Sequence, residues 1–311
     1  MANLKKIKIR NEQDTAWKEI LDIYFNDFIS YCLPKLHDLI DWSKPYLSLE
    51  KEFQAIIRGT PVGKCLLDKL FKVYLKNGCE QWILIHLEIQ GTVDKNFPKR
   101  MFTYGYRIYD KYQQPIVSCA ILTDTQDKWR PDFYQIGLAD SYLRMQFLTI
   151  KLIDYRNQQA MLEKSNNPFA SVIFAQLMVL NTKNKSNEQK KQIKFALTKR
   201  LYEKGLDKKT IINLYKFIDW LIGLPKPFEL EYIDQIHQLE ELTKMPYISS
   251  AERFGMEIGM EKGMKKGIEK GIEKVAINML EEGVKISFIK KTTGLSIAKI
   301  KKLQQHLTIK K

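Results

Sequence analysis

Two hydrophobic periods alternate along the chain. From Gln81 to Gly91 the sequence reads QWILIHLEIQG. Side chains alternate faces along a strand, so Ile83, Ile85, Leu87 and Ile89 share an apolar face while Trp82, Leu84, His86, Glu88 and Gln90 share the other. This strand therefore ends in a carboxylate and a carboxamide just before Gly91. A carboxylate there requires water, a cation or a metal. The alternatives are a strand end opening into solvent and a chemical site.

Elsewhere the spacing is mostly helical. Trp17, Ile20, Leu21, Tyr24, Phe28 and Tyr31 recur at steps of three and four, which predicts an amphipathic helix over 15–40 that is interrupted or restarted at Pro34. Ser48 is a candidate N-cap for a second short helix, SLEKEFQAI, with Glu50 and Glu52 at its positive end. An apolar run from Leu66 to Leu75 meets the first strand across Asn77-Gly78, a hairpin signal. KRMFTYGYRIYDKY then predicts a helix, with Arg100, Tyr104 and Arg107 on one flank. IVSCAILTD, apolar on both faces, predicts a central strand, and 132–137 an edge strand. Helices are expected over 139–156, 168–180, 187–203, 208–222 and 229–242.

The last segments differ in character. Gly255, Gly259, Gly263, Gly267 and Gly271 recur at intervals of four. Each glycine costs a helix up to about 1 kcal/mol, so the repeat is either a close-packed soluble helix pair or a charged linker. Its interleaved Glu and Lys exclude a membrane span. Beyond it, two apolar-spaced segments flank Thr292-Thr293-Gly294-Leu295-Ser296. That is the outline of a helix-turn-helix, or of a small helical cap with a basic face. The expected organisation is an α/β core over 1–140, a helical module over 141–250, the glycine repeat over 251–274 and a basic tail over 275–311.

Composition narrows the function classes. With 44% hydrophobic residues the 311-residue chain can bury a core. The formal charge of +15 and pI near 9.4 favour a polyanionic partner such as DNA, although much of the excess is ordinary lysine. The segment from residue 251 onward carries fourteen Lys/Arg against seven Glu. The four cysteines form no CxxC pair and the histidines no zinc-type spacing, so the thiols are expected to be reduced in a cytoplasmic protein. No signal peptide or membrane-spanning stretch is expected. The helical module and the glycine repeat are the candidate surfaces for a homodimer.

The hairpin carries the candidate chemistry, and two registers are open. A two-residue loop at Asn77-Gly78 sets Asp68 opposite Leu87. A three-residue loop with a bulge sets Asp68 opposite Glu88. In that register two carboxylates stand about 5 Å apart at Cα on one face, an arrangement that a divalent cation would stabilise.

Asp68, the Asn-Gly hairpin, Glu88-Ile89-Gln90, a helix and a further strand together resemble the PD-(D/E)xK nuclease core. The closer resemblance is to the Rpn group of recombination-promoting nucleases, also labelled YhgA-like transposases. It is carried by DKLFKVYLKNGCEQWILIHLEIQG, FPKRMFTYGYRIYDKY and IVSCAILTD. The resemblance implies a restriction-endonuclease-like mixed sheet flanked by helices and followed by a helical C-terminal region. It also implies a Mg²⁺- or Mn²⁺-dependent DNA endonuclease associated with recombination or mobile elements. Asp68 and Glu88 would hold the metal, and Glu52, with Glu50 as its neighbouring alternative, would be the acidic helix residue. Gln90 stands where the superfamily usually has Lys, as it does in the Rpn group. Arg100, Tyr104 and Arg107 would face the phosphate. Two features stand apart from this reading. No strand before Asp68 is legible, and the carboxamide of Gln90 cannot act as a base, which leaves a catalytically degenerate DNA-binding or scaffold protein as the alternative.

Overall fold

The computed structural model describes residues 16–49, 68–76, 82–180, 182, 185–243 and 271–308. Of Asp68 and of the 82–90 strand apart from Ile89 it describes the backbone. The chain divides into two compact units, 1–247 and 248–311.

The first unit is built on a mixed five-stranded sheet of order β1-β2-β3-β4-β7. Its strands are β1 (Leu47–Ser48), β2 (Asp68–Tyr74), β3 (Trp82–Gln90), β4 (Ile116–Leu122) and β7 (Leu148–Lys151). The β1–β2 and β2–β3 pairs are antiparallel, whereas the β3–β4 and β4–β7 pairs are parallel. The parallel β3–β4 connection requires a crossover, and helix α4 (Phe97–Tyr112) supplies it.

Alternation along β2 assigns the two faces. Leu70 packs against Tyr104 and Ile108 of α4. Phe71, one residue on, stacks on Phe25 at 4.0 Å between ring centroids. Phe25 belongs to α2 (Phe25–Cys32), which lies between a helical segment at 16–23 and α3 (Pro34–Leu39). Helix α4 therefore covers one face and the N-terminal helices the other. Lys69, on the α2 face and 1% exposed, reaches Asp22 at 2.5 Å. That pairing is what allows a lysine inside this layer.

The N-terminal helical stretch breaks at Pro34, as expected, and also at Tyr24, which gives three pieces. Pro34, which has no amide hydrogen to donate, opens α3 at its first turn, where none is needed. The chain then runs beside β2, with Asp41 N donating to Tyr74 O and Lys76 N to Leu39 O. Ser48, read as an N-cap, lies in β1 opposite Phe71. This two-residue edge strand precedes Asp68, too short to leave a sequence pattern. The remainder of the expected second helix, with Glu50 and Glu52, lies outside the described residues.

Residues 139–156 do not form the expected helix, and the sheet does not end at residue 140. β5 (Phe133–Leu138) and β6 (Ser141–Gln146) make a hairpin turned at Ala139, whose φ is 50°. β7 then returns to the main sheet, followed by a 3-10 segment at Leu152–Gln158. The apolar residues here fit steps of three or four and steps of two equally well, and tertiary pairing decides between them. The hairpin packs on α4, with Tyr134 against Phe102 and Met145 against Gly105 so closely that a Cβ on Gly105 would collide with the methionine methyl.

A short helix that the sequence did not announce, α5 (Gln159–Lys164), comes next. The four that follow match the sequence expectation: α6 (Pro168–Leu180), α7 (Asn187–Glu203), α8 (Lys208–Leu221) and α9 (Lys226–Thr243). α6 is apolar nearly all round and is accordingly buried at the centre of the layer. A reciprocal Ser186–Gln189 capping box starts α7, and Asp207 caps α8 through the Thr210 amide.

Both described cysteines are free, Cys119 buried and Cys32 partly so. Burial pushes the Cys32 thiol up to about 12 and the Cys119 thiol higher still. At pH 8 only about one Cys32 in ten thousand is then thiolate, the reactive form. Iodoacetamide at pH 8 should leave Cys32 and Cys119 unmodified in the native protein and alkylate both in urea, as read by peptide mass mapping. Rapid native labelling of either would contradict this packing.

Candidate active site

Asp68 opens β2, and Glu88 and Gln90 close β3. The register sets Asp68 opposite Glu88, Leu70 opposite His86 and Tyr74 opposite Trp82. Directly opposed residues of an antiparallel pair share a face, with Cα atoms roughly 4.5–5.5 Å apart. Asp68 and Glu88 are thus juxtaposed on the α4 face. This is the register that the three-residue loop generates. The loop itself, 77–81, lies outside the described residues.

The neighbouring strands extend the row. Glu88 stands beside Ala120, and Ala120 beside Thr149; Gln90 stands beside Leu122, and Leu122 beside Lys151. Parallel partners also share a face, so the acidic pair lies between two apolar anchors of α4. On one side is the cluster of Leu70, Tyr104 and Ile108, and on the other Phe97 and Met101 packed on Ala120, Leu122 and Phe147.

The three α4 residues expected near phosphate occupy different environments. Arg100 is 7% exposed; its Nη1 donates to Asp94 Oδ2 at 2.7 Å, and its guanidinium lies 5.3 Å from the Phe97 ring centroid. Asp94 also accepts from Asn96 N at 2.9 Å, which fixes the loop that enters α4. Tyr104 is 1% exposed and belongs to the core. Arg107 is half-buried. Arg100 therefore positions the β3–α4 loop.

A charged pair that sequence reasoning missed closes the same edge. Lys151 Nζ donates to both Asp124 oxygens, at 2.8 and 2.7 Å, and to the Trp129 carbonyl at 3.1 Å. The two side chains are 1% and 4% exposed. Asp124 lies two residues beyond the end of β4, and Lys151 ends β7 on the row of Gln90 and Leu122. The Lys151 Cα is two strands, roughly 10 Å, from that of Gln90. Asp124 was visible at the end of IVSCAILTD, but its partner was hidden because 139–156 read as a helix.

Among the described residues, no group of three His, Cys, Asp or Glu is arranged to hold a metal ion. Asp68 and Glu88 are the residues that could do so, by backbone register. No family model, curated protein or solved structure matches the chain. No helix among the described residues is long and apolar enough to cross a membrane.

Removing one member of a buried ion pair leaves the other charge uncompensated, at a cost of about 3–5 kcal/mol, whereas an apolar replacement of both is often neutral. Asp124→Leu and Lys151→Met should each lower the urea midpoint strongly, and the double variant should recover most of the loss. Additive losses in the double variant would refute the coupling.

Proposed function

We propose that the chain is a metal-dependent DNA endonuclease of the Rpn type, built on a restriction-endonuclease-like core. The observation that carries this reading is the register of β2 and β3, which sets Asp68 opposite Glu88 on one face. The edge strand β1 before Asp68, the crossover helix α4 and the parallel β4 support it. So does the formal charge of +15, which suits a polyanionic substrate.

The residues present fit a hard divalent cation. Two carboxylates and a carboxamide offer only oxygen to a metal, a donor set that suits Mg²⁺ or Mn²⁺ over zinc. Asp68 and Glu88 would hold the ion, with an acidic residue at Glu52 or Glu50 as the further candidate. When bound, such an ion lowers the pKa of its water and offsets charge developing on phosphorus oxygens. Gln90, two residues from Glu88 on the same face, orients a water or a phosphoryl oxygen through its amide. It takes up no proton. The Arg100–Asp94 pair holds the loop between β3 and α4 in place.

Plasmid nicking with Mg²⁺ or Mn²⁺ tests the reading. The parent protein should cut, and Asp68→Asn or Glu88→Gln should reduce the rate on the order of 100-fold or more. Equal cutting by these variants would remove the site from Asp68 and Glu88. Salt-sensitive DNA binding without cutting in either metal would favour the scaffold reading.

A further inference from the structure

The described residues of the second compact unit form a three-helix assembly in their own right. Its helices are α10 (271–281), α11 (Ile286–Thr293) and α12 (Ile297–Thr308). Each contributes one fully buried side chain to a common core: Ala276, Ile289 and Ile300. The turn between α11 and α12 has three residues. Gly294 adopts φ 73°, a left-handed conformation that suits glycine, and its N–H returns to Lys290 O at 2.9 Å. Ser296 Oγ accepts from Lys299 N at 3.3 Å and caps α12, and Thr293 Oγ1 accepts from Leu295 N at 3.3 Å. A glycine turn between two helices braced by a third is the helix-turn-helix arrangement, in which the helix after the turn is the one presented to the major groove.

Beyond Glu282 the unit's charge is one-sided, although Lys299 pairs back to Glu273 at 2.7 Å. From Gly283 to Lys311 there are eight lysines and no Asp or Glu. Lys290, Lys291 and Lys301 are exposed, as is Gln304. The apolar residues Ile300 and Leu303 of α12 are committed to the unit's own core. Among the described side chains of α12 Ile297 is the exposed apolar one, too little for a wide lipid-facing stripe. Among the unit's described side chains Phe288 is the one exposed large aromatic, a poor platform for unstacked single-stranded bases.

We propose that residues 271–308 form a duplex-DNA docking unit, with α12 laid in the major groove and the exposed lysines at the end of α11 on the phosphate backbone. Twelve helical residues span roughly 18 Å, and the groove is about 12 Å wide, so one helix of this length fits it. Lys301 and Gln304 lie on the presented helix, and Lys290 and Lys291 neutralise phosphates beside it. The inference is independent of the endonuclease reading, because it invokes neither Asp68 nor Glu88.

The test is fluorescence anisotropy of the full chain with a labelled mixed-sequence duplex in EDTA, over a range of salt. The triple variant Lys290→Glu/Lys291→Glu/Lys301→Glu should bind at least about 30-fold more weakly near 0.1 M salt, with a salt slope shallower by about 2–3. The triple alanine variant should lose less, in the same direction, with circular dichroism unchanged in both. The same charge reversal at Lys35, Lys209 and Lys226, exposed in the first unit, should have a much smaller effect. The proposal is overturned if the two charge reversals are equivalent or if neither changes binding. Tighter binding to phosphatidylserine vesicles or to single-stranded RNA than to the duplex also overturns it.

Discussion

The pairing of β2 with β3 is the constraint on which the rest of the first unit depends. The side-chain period of a strand is two, so a slip of one residue transfers every side chain to the opposite face. Here both faces are covered. Leu70 and Phe71 are each 0% exposed, one beneath α4 and the other against Phe25. In the observed register the uniformly apolar positions of β3 (Ile83, Ile85, Leu87 and Ile89) share the face of Phe71 and Val73. Slipped by one, Glu88 and Gln90 would enter that layer instead. An uncompensated carboxylate there costs several kcal/mol. The polar end of β3 thus helps to specify the register, and the same register juxtaposes Asp68 and Glu88.

Three lysines buried in this interior are each held by carboxylates. Lys69 is tied to Asp22, Lys151 to Asp124, and Lys194 to Asp219 and Glu229. Each lysine is at most 2% exposed at its side chain, and each partner comes from a different element. Such pairs contribute little net stability against an apolar core of the same shape, but half of one is strongly unfavourable. They therefore favour one assembly of the layers over compact alternatives. Lys151–Asp124 does this where β4 and β7 end, on the edge that also carries Gln90.

The parts of the fold legible in the sequence were those whose signal is local. Helices α6 to α9 carry caps and long periodic stretches, and their observed ends fall within a few residues of expectation. β3 announces itself by its β-branched run. The Asp68–Glu88 register followed from turn chemistry, although loop length left two choices. What stayed hidden depended on distant partners. β1 has two residues and exists because β2 offers an edge. β6 and β7 share their apolar spacing with a helix, and only their pairing with β5 and β4 decides between the two. The same misreading concealed Lys151 as the partner of Asp124. Arg100 and Tyr104 sit at helical spacing, but spacing alone does not distinguish a side chain aimed at a ligand from one turned toward Asp94 or Leu70.

The division of charge between the two units bears on how a nuclease of this design would engage DNA. Two adjacent carboxylates repel a phosphodiester until a cation stands between them. The first unit's site therefore supplies little affinity for its proposed substrate, and α4 adds little through Arg100, which is already paired to Asp94. The second unit has the opposite balance, with eight lysines and no acid after Glu282, Lys299 being paired back to Glu273. Joined in one chain, a docking unit raises the effective concentration of duplex at an acidic site without sharing a residue with it. On this reading affinity and chemistry are separable. The metal is required for the chemistry, the helix-turn-helix lysines are required for retention, and neither substitutes for the other.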